Sequence, residues 1–289
     1  MTAVEIGVVG GGPAGVAAAV QLRRHGLEVL LFEADAIGGL TRNAHSMENL
    51  PGFPDGITGP QFARRLAEHL TSAGVDPVHE EVASIAYDGG FELCTERARH
   101  RIGRLVIATG TEPIPLDDPE IGPAVASRVL YEVHRIARIE GSRVAIIGAG
   151  DAAFDYALTL SARNEVTILN RSKRRRCLPL LWERCRATRS ITYLENTRVT
   201  RIEEGERGLS VGTTGRSGEQ HLDVDYLIAA IGRRPRMPAL DPRLEGRVGP
   251  LKEAGILFLA GDVRGGRTRQ ASIAFADGVR AAMEIAAAT

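Results

Sequence analysis

The chain has 289 residues, 44% of them hydrophobic and 25% charged, with Lys plus Arg and Asp plus Glu both numbering 36. That length suits two domains of ordinary size, each with its own core, and the balanced charge provides no global field to favour nucleic acid or an anionic membrane. Only Cys94, Cys177 and Cys185 are present, without metal-ligand or redox-motif spacing, which fits a reducing cytoplasm and predicts no metal site.

The N-terminal apolar run Glu5-Ile6-Gly7-Val8-Val9 has no basic region before it and no small-residue cleavage site after it. It reads as a buried strand, and no signal peptide is expected. Residues 16–20 are too short an apolar stretch to span a bilayer before Gln21, Arg23 and Arg24. Residues 4–33 read as strand, tight turn, helix and strand, the turn being Gly10-Gly11-Gly12-Pro13-Ala14-Gly15 and the second strand ending at Glu33. Such a glycine triplet lets the backbone approach a pyrophosphate at a helix N-terminus, and the acid about twenty residues on accepts hydrogen bonds from ribose hydroxyls. Gly10, Gly12, Gly15 and Glu33 therefore predict a nucleotide site.

Residues 38–59 are rich in Gly, Pro and Asn and lack periodicity, so they read as a functional loop. Residues 61–73 are an amphipathic helix with Phe62, Leu66 and Leu70 on one face. Cys94 sits in a short strand, and the strand Arg104-Leu105-Val106-Ile107-Ala108 ends at Thr109-Gly110, with Pro113 and Pro115 marking a domain exit.

A second fingerprint, Gly148-Ala149-Gly150-Asp151-Ala152-Ala153, follows Val144-Ala145-Ile146-Ile147 and opens a helix running to Leu160. Here the position matching Glu33 is Asn170, followed by Arg171-Ser172-Lys173-Arg174-Arg175-Arg176. A carboxylate would repel a 2′-phosphate, whereas arginines grip it bidentately. Asn170, Arg171 and Arg175 thus predict NADPH over NADH; a merely solvated basic loop is the competing meaning. The second unit runs through Asp225-Tyr226-Leu227-Ile228-Ala229-Ala230-Ile231-Gly232, after which an apolar strand over 256–260 leads into Gly261-Asp262 and a final helix, Ala271–Ala287. The two fingerprints are an internal repeat. Residues 116–242 read as a domain inserted into one made of 1–115 and 243–289.

Taken in order with Gly38-Gly39, Glu48-Asn49-Leu50-Pro51-Gly52-Phe53-Pro54, Ala108-Thr109-Gly110, Ile231-Gly232-Arg233-Arg234-Pro235, Gly261-Asp262-Val263 and Arg269-Gln270-Ala271, the sequence resembles the low-molecular-weight thioredoxin reductases over nearly its whole length. These are FAD- and NADPH-dependent flavoproteins. The resemblance implies an α/β fold of two Rossmann-like nucleotide-binding domains, the NAD(P)-binding one inserted into the FAD-binding one, and a homodimer. It implies that Pro13, Ala14, Gly39, Leu40, Ala108, Thr109, Gly110, Gly261 and Arg269 join the first fingerprint in holding FAD. Asn49 would lie beside the flavin, Asp262 on the ribityl chain, and Gln270 and Ala271 at the pyrimidine edge of the ring. Ala271 opens a helix whose positive end would stabilise charge building near N1 and C2=O on reduction. For NADPH it implies Gly148, Gly150, Asp151, Ala152, Ile231 and Gly232, besides the 2′-phosphate residues, although the His-Arg-Arg expected there is Asn170-Arg171-Ser172 in this chain.

In that family a Cys-x-x-Cys pair precedes the strand of the second fingerprint. A gap-free count back from Gly148 puts its cysteines on Tyr131 and His134, which form no disulfide, so a thiol relay to thioredoxin is not expected. Cys177 and Cys185 read as structural and Cys94 as packing. His134 could pass a proton and Tyr131 could donate a hydrogen bond or stack on a ring, serving the flavin or a bound substrate; alternatively a helix at the domain junction merely kept its packing there. His45 reads as a surface side chain. The expected activity is transfer of electrons from NADPH through FAD to a protein carrier of ferredoxin or flavodoxin type or to a small oxidant. Two alternatives stay open: an FAD-binding sensor or assembly partner with no NADPH turnover, and a disulfide enzyme using the thiols of its substrate. Ferredoxin-NADP reductases of thioredoxin-reductase-like type carry a C-terminal extension over the flavin, and this chain ends at Thr289, soon after its last helix, which argues against that subgroup.

Overall fold

A computed structural model describes residues 4–216 and 218–288; Thr289 lies outside them. The chain divides into two compact units, one made of 1–42, 47–112 and 234–289 and the other of 43–46 and 113–233.

The first unit begins with β1 (Val4–Val9), α1 (Pro13–Arg24) and β2 (Val29–Phe32), continues through α2 (Gly59–Ser72), and adds β3 (Ser84–Tyr87), β4 (Phe91–Cys94) and β5 (Arg99–Ile107). A short strand β6 (Thr111–Pro113) leads the chain away. β1 pairs in parallel with β2 and β5, so Val8 stands beside Leu31 and Val106, while β4 pairs antiparallel with β3 and with the start of β5. α2 starts two residues before the predicted helix because Thr58 and Gln61 form a capping box, each side chain meeting the other's backbone N–H. The predicted loop over 38–59 carries a 3₁₀ turn at Gly39–Asn43 and is closed by Met47 and Ile57, whose backbones exchange hydrogen bonds of 2.8 and 3.3 Å.

In the second unit β7 (Val129–Leu130), β8 (Arg143–Ile147), α3 (Asp151–Ser161), β9 (Glu165–Asn170), α4 (Pro179–Ala187) and β10 (Ile191–Glu195) precede an antiparallel meander, β11 (Arg198–Glu203), β12 (Leu209–Gly215) and β13 (Gly218–Val224), and then β14 (Tyr226–Ala229). The main sheet is parallel throughout, in the order β10-β9-β8-β14-β7. Side chains alternate across it: Val144 and Ile146 pack with Phe154, Leu158 and Cys185 from the helices, whereas Ala145 packs with Val199, Leu209 and Val211 from the meander. Both faces are therefore covered, as a parallel sheet requires. Residues 131–135 form no helix: Tyr131 follows β7 directly, and a single 3₁₀ turn covers Val133–Arg135.

The chain returns through β15 (Arg233–Pro235) and β16 (Ala239–Leu240), then short helices α5 (Pro242–Glu245) and α6 (Val248–Glu253), β17 (Leu257–Leu259) and α7 (Ala271–Ala287). The unit boundaries lie at 112/113 and 233/234 rather than at 115/116 and 242/243. The reason for the second shift is β16, which pairs with β3 and so commits that stretch to the first unit's sheet. β17 extends the pairing of β5, Leu257 beside Leu105. α7 packs along α1 through small residues, and a Cβ added at Gly278 would come within 2.0 Å of the Ala14 carbonyl oxygen.

Candidate functional site

In the first unit the glycine turn is held by its neighbours. Gly10 N–H donates to Phe32 O at 2.8 Å and Gly11 N–H to Glu33 Oε2 at 2.6 Å. A Cβ at Gly10, whose φ is +110°, would stand 2.4 Å from Ala108 O, one at Gly15 1.8 Å from Gly10 O, and one at Gly39 3.2 Å from Gly12 Cα. A Cβ at Gly261 would stand 2.9 Å from that of Ala14. Gly10, Gly12, Pro13, Ala14, Gly15, Glu33, Gly39, Ala108 and Gly261 thus converge on the N-terminus of α1, and Leu40 follows Gly39 in the same 3₁₀ turn. At Gly12 itself an added Cβ would meet nothing within 4 Å.

Around α7, Asn49 Nδ2 donates to Gln270 Oε1 at 2.6 Å, joining two predicted flavin positions 221 residues apart. Asp262 lies in a 3₁₀ turn, Gly261–Arg264, and half-buried Arg269 precedes the α7 cap residue Gln270. Ala271 is the first residue of α7. Asp277, which sequence reasoning missed, organises this turn: its carboxylate accepts from Gly261 N at 3.1 Å and Arg264 Nη1 at 2.6 Å. An acid on an otherwise alanine- and isoleucine-rich helix was its signal. Thr109 and Gly110 are held by Arg236, the Thr109 hydroxyl donating to its carbonyl and its N–H donating to Gly110 O at 3.1 Å.

In the second unit Gly148 has φ +153° and an added Cβ would meet Ala230 O at 2.6 Å, whereas one at Gly150 would meet nothing within 4 Å. Asp151 and Ala152 open α3, and Asp151 Oδ1 accepts from Leu178 N at 2.7 Å. Asn170 is buried and its amide braces the basic loop: Nδ2 donates to Arg174 O at 3.2 Å and Tyr193 Oη at 2.8 Å, while Oδ1 accepts from Ser172 N at 3.1 Å. Arg171 is exposed, and the Arg175 guanidinium lies over the Trp182 ring, 4.0 Å from its centroid. The loop then returns to the glycine turn, where Arg176 bridges Gly150 and donates its N–H to Ala149 O at 2.7 Å. Arg176 was thereby missed as the member of the basic run set beside the turn. Ile231 and Gly232 follow β14, and Gly232 O accepts from Ile114 N at 3.0 Å.

One physical trait unites these places. α1, α3 and α7 begin at Gly12, Gly150 and Gln270, none of which supplies a side-chain cap. Their first-turn N–H groups carry partial positive charge without a side-chain acceptor, in contrast to the boxed start of α2.

Also in the second unit, Tyr131 Oη accepts from Leu116 N at 3.0 Å. His134 presents its backbone N–H and Nδ1 to Asn43 Oδ1, at 3.1 and 3.0 Å, and Nδ1 also lies 3.3 Å from Glu132 Oε2. Glu132 Oε1 accepts from Arg233 Nη2 at 2.9 Å. The hydrogen bond from His134 outweighs burial and, with the Arg233 charge, brings the Glu132 carboxyl down to about 2. Asn43 and Glu132 carried no sequence signal: one lies in an aperiodic loop, the other between two positions singled out for their neighbours' chemistry.

The cysteines stand elsewhere. Cys185 is buried against α3, its Sγ 3.4 Å from Phe154 O, and burial pushes its thiol up to about 12. Burial also raises Cys177, and Cys94 Sγ lies 3.8 Å from Glu92 Oε1 in the first unit. His45 is exposed, its N–H donating to Asp155 Oδ2 at 2.8 Å. Among the described residues no group of three or more His, Cys, Asp or Glu is arranged to hold a metal, and no helix is long and apolar enough to cross a membrane.

Residues 4–278 match the family described as pyridine nucleotide-disulphide oxidoreductase. The chain is 29% identical over 302 residues to a thioredoxin reductase of Mycolicibacterium smegmatis, covering 98% of this chain and 96% of that one. It is 30% identical over 296 residues to a thioredoxin reductase of Streptomyces clavuligerus, covering 96% and 91%. Among solved structures it is similar to the thioredoxin reductase of Lactococcus lactis, with a TM-score of 0.83, 26% identity and 97% of each chain covered.

Proposed function

Because the chain belongs to the pyridine nucleotide-disulphide oxidoreductase family, we propose that it is an FAD-dependent NADPH oxidoreductase of thioredoxin-reductase-like fold that works without a dithiol relay. The observation that carries this reading is the pair of glycine turns, each leading into an uncapped helix with open space at Gly12 or Gly150, beside opposite strand-end chemistries. Glu33 is an acceptor suited to free ribose hydroxyls, whereas the run ending at Arg176 is cationic and suited to a 2′-phosphate.

The residues present fit both nucleotides. Gly10, Gly12 and Gly15 would let the FAD pyrophosphate reach the N–H groups of α1, with Glu33 on the adenosine ribose. Asn49, Asp262, Gln270 and the start of α7 would hold the ribityl chain and ring. Gly148, Gly150, Asp151 and Ala152 would receive the NADPH pyrophosphate, and Arg171, Arg175 and Arg176 its 2′-phosphate. Bound FAD would supply two-electron redox chemistry at this site.

Absence of a thiol relay is supported by Tyr131 and His134 at the positions that match the family's dithiol, and by the protonated state that burial favours at Cys177 and Cys185. The acceptor is then a small oxidant or a one-electron protein carrier. Anaerobic mixing with NADPH should bleach the flavin absorption of the purified yellow protein, faster than an equal concentration of NADH does. An unchanged spectrum would replace this reading with a flavin-binding protein that does not turn over. The names of its relatives favour a second reading, reduction of a disulfide. A Cys94, Cys177 and Cys185 triple serine variant that keeps its NADPH-dependent activity, together with failure to reduce thioredoxin, would set that reading aside.

A further inference from the structure

We infer that His134 is a proton-transfer residue, fixed in one tautomer by Asn43 and Glu132, and that the acceptor this chain reduces is a small molecule that takes up hydrogen with its electrons, as a quinone does. The inference rests on the NADPH oxidation proposed above and adds to it the class of acceptor.

The parallel sheet of the second unit places this cluster. In open α/β sheets, ligands bind outside the carboxyl ends of the strands. At that edge the order of neighbours is β9, β8, β14, β7. Asn170 and the basic loop follow β9, the Gly148 to Gly150 turn follows β8, Gly232 and Arg233 follow β14, and Tyr131, Glu132 and His134 follow β7. A dinucleotide whose 2′-phosphate met the loop after β9 and whose pyrophosphate met the turn after β8 would extend its nicotinamide end toward β14 and β7. His134 would then stand at the redox end of the row.

Its ring is held from one side only. Nδ1 lies within 3.0 Å of Asn43 Oδ1 and 3.3 Å of Glu132 Oε2, so it is the protonated nitrogen, donating to acceptors. Nε2 makes no hydrogen bond among the described residues, and the side chain is 20% exposed. The other charged and titratable neighbours keep fixed states near neutrality. Glu132 stays ionised, with its carboxyl down to about 2, and buried Tyr156, near enough to Glu132 and Arg233 to feel their charges, is pushed up to about 12. Imidazole is the side chain that exchanges a proton in this range.

A one-electron carrier needs no such group, because its reduction consumes electrons and no proton. A quinone does need one. NADPH supplies two electrons and one hydrogen, the imidazolium Nε2–H supplies the second hydrogen to the quinone oxygen, and His134 regains its proton from solvent. The products are the hydroquinone and NADP⁺.

The test compares a water-soluble quinone with ferricyanide, which takes electrons alone. In His134→Ala the ratio of quinone to ferricyanide turnover should fall about 100-fold, the scale of a lost general acid, and added imidazole should restore it about tenfold or more. His134→Asn, which keeps a donor toward Asn43, covers the case in which the alanine variant fails to fold, and should show the same fall. In ¹⁵N-histidine-labelled wild type, the neutral ring should carry its proton on Nδ1, and Asn43→Ala should remove that preference. An unmoved ratio, no imidazole rescue, or a proton on Nε2 would overturn the assignment. Failure of wild-type flavin to be reduced by NADPH would instead overturn the reading beneath it.

Discussion

Asp277 and Glu132 are single carboxylates whose worth can be stated from what they touch. Asp277 is 9% exposed and satisfies the Gly261 N–H as well as Arg264, so Asp277→Ala leaves a buried donor unpaired at a cost of about 1–3 kcal/mol. Thermal unfolding should show that loss, and the loosened Asp262 turn should lower the flavin content of the purified variant. The hydrogen bond from His134 and the Arg233 charge hold the Glu132 carboxyl down to about 2, below its ordinary 4.5. A depressed carboxyl contributes stability that is fully present above the unfolded value and lost as pH falls through the native one. The stability gap between wild type and Glu132→Gln should therefore narrow by about 2 kcal/mol between pH 7 and pH 3, measured as the difference in urea midpoints; a gap independent of pH would contradict the pairing. Asp277 stood out in the sequence only as an acid on an apolar helix, and Glu132 not at all, because their roles come from partners on other elements: the Gly261 N–H for Asp277 and Arg233 for Glu132.

The elements were far more legible, and glycine explains why. Periodicity and glycine fingerprints mark β1, α1, β8, α3 and α7 locally, since the signal for each lies within its own residues. The meander β11 to β13 escaped because its strands are rich in Gly, Thr and charged residues and carry no unbroken apolar run, and the bridge at Met47 and Ile57 because a single residue pair leaves no periodicity. Two glycines separate packing from binding. Gly278→Ala would drive a Cβ to 2.0 Å from the Ala14 carbonyl oxygen, and overpacking of this kind costs about 1–3 kcal/mol, so its melting temperature should fall whether or not flavin is present. Gly12→Val adds its Cβ where nothing stands within 4 Å. It should leave the melting temperature of the flavin-free protein nearly unchanged and yield a colourless preparation; full flavin occupancy would refute the pyrophosphate assignment.

Across the whole molecule, each unit has its own sheet and core, so damage to one nucleotide site should not reach the other. Gly150→Val should bind flavin at full stoichiometry yet fail to be bleached by NADPH. Gly12→Val should be colourless yet still bind NADPH by calorimetry. Loss of both ligands in either variant would mean that the units are not independent. The insertion of one unit into the other was visible as a repeated fingerprint, but its edge was not, because only the pairing of β16 with β3 assigns that stretch. The close packing of α7 on α1 has a temporal consequence. A polypeptide leaves the ribosome in order, so residues 113–233 are all available while α7 has yet to be made. Helix α1 must wait for α7, which is made only after the whole inserted unit, so the unit begun earlier is completed after the one it encloses.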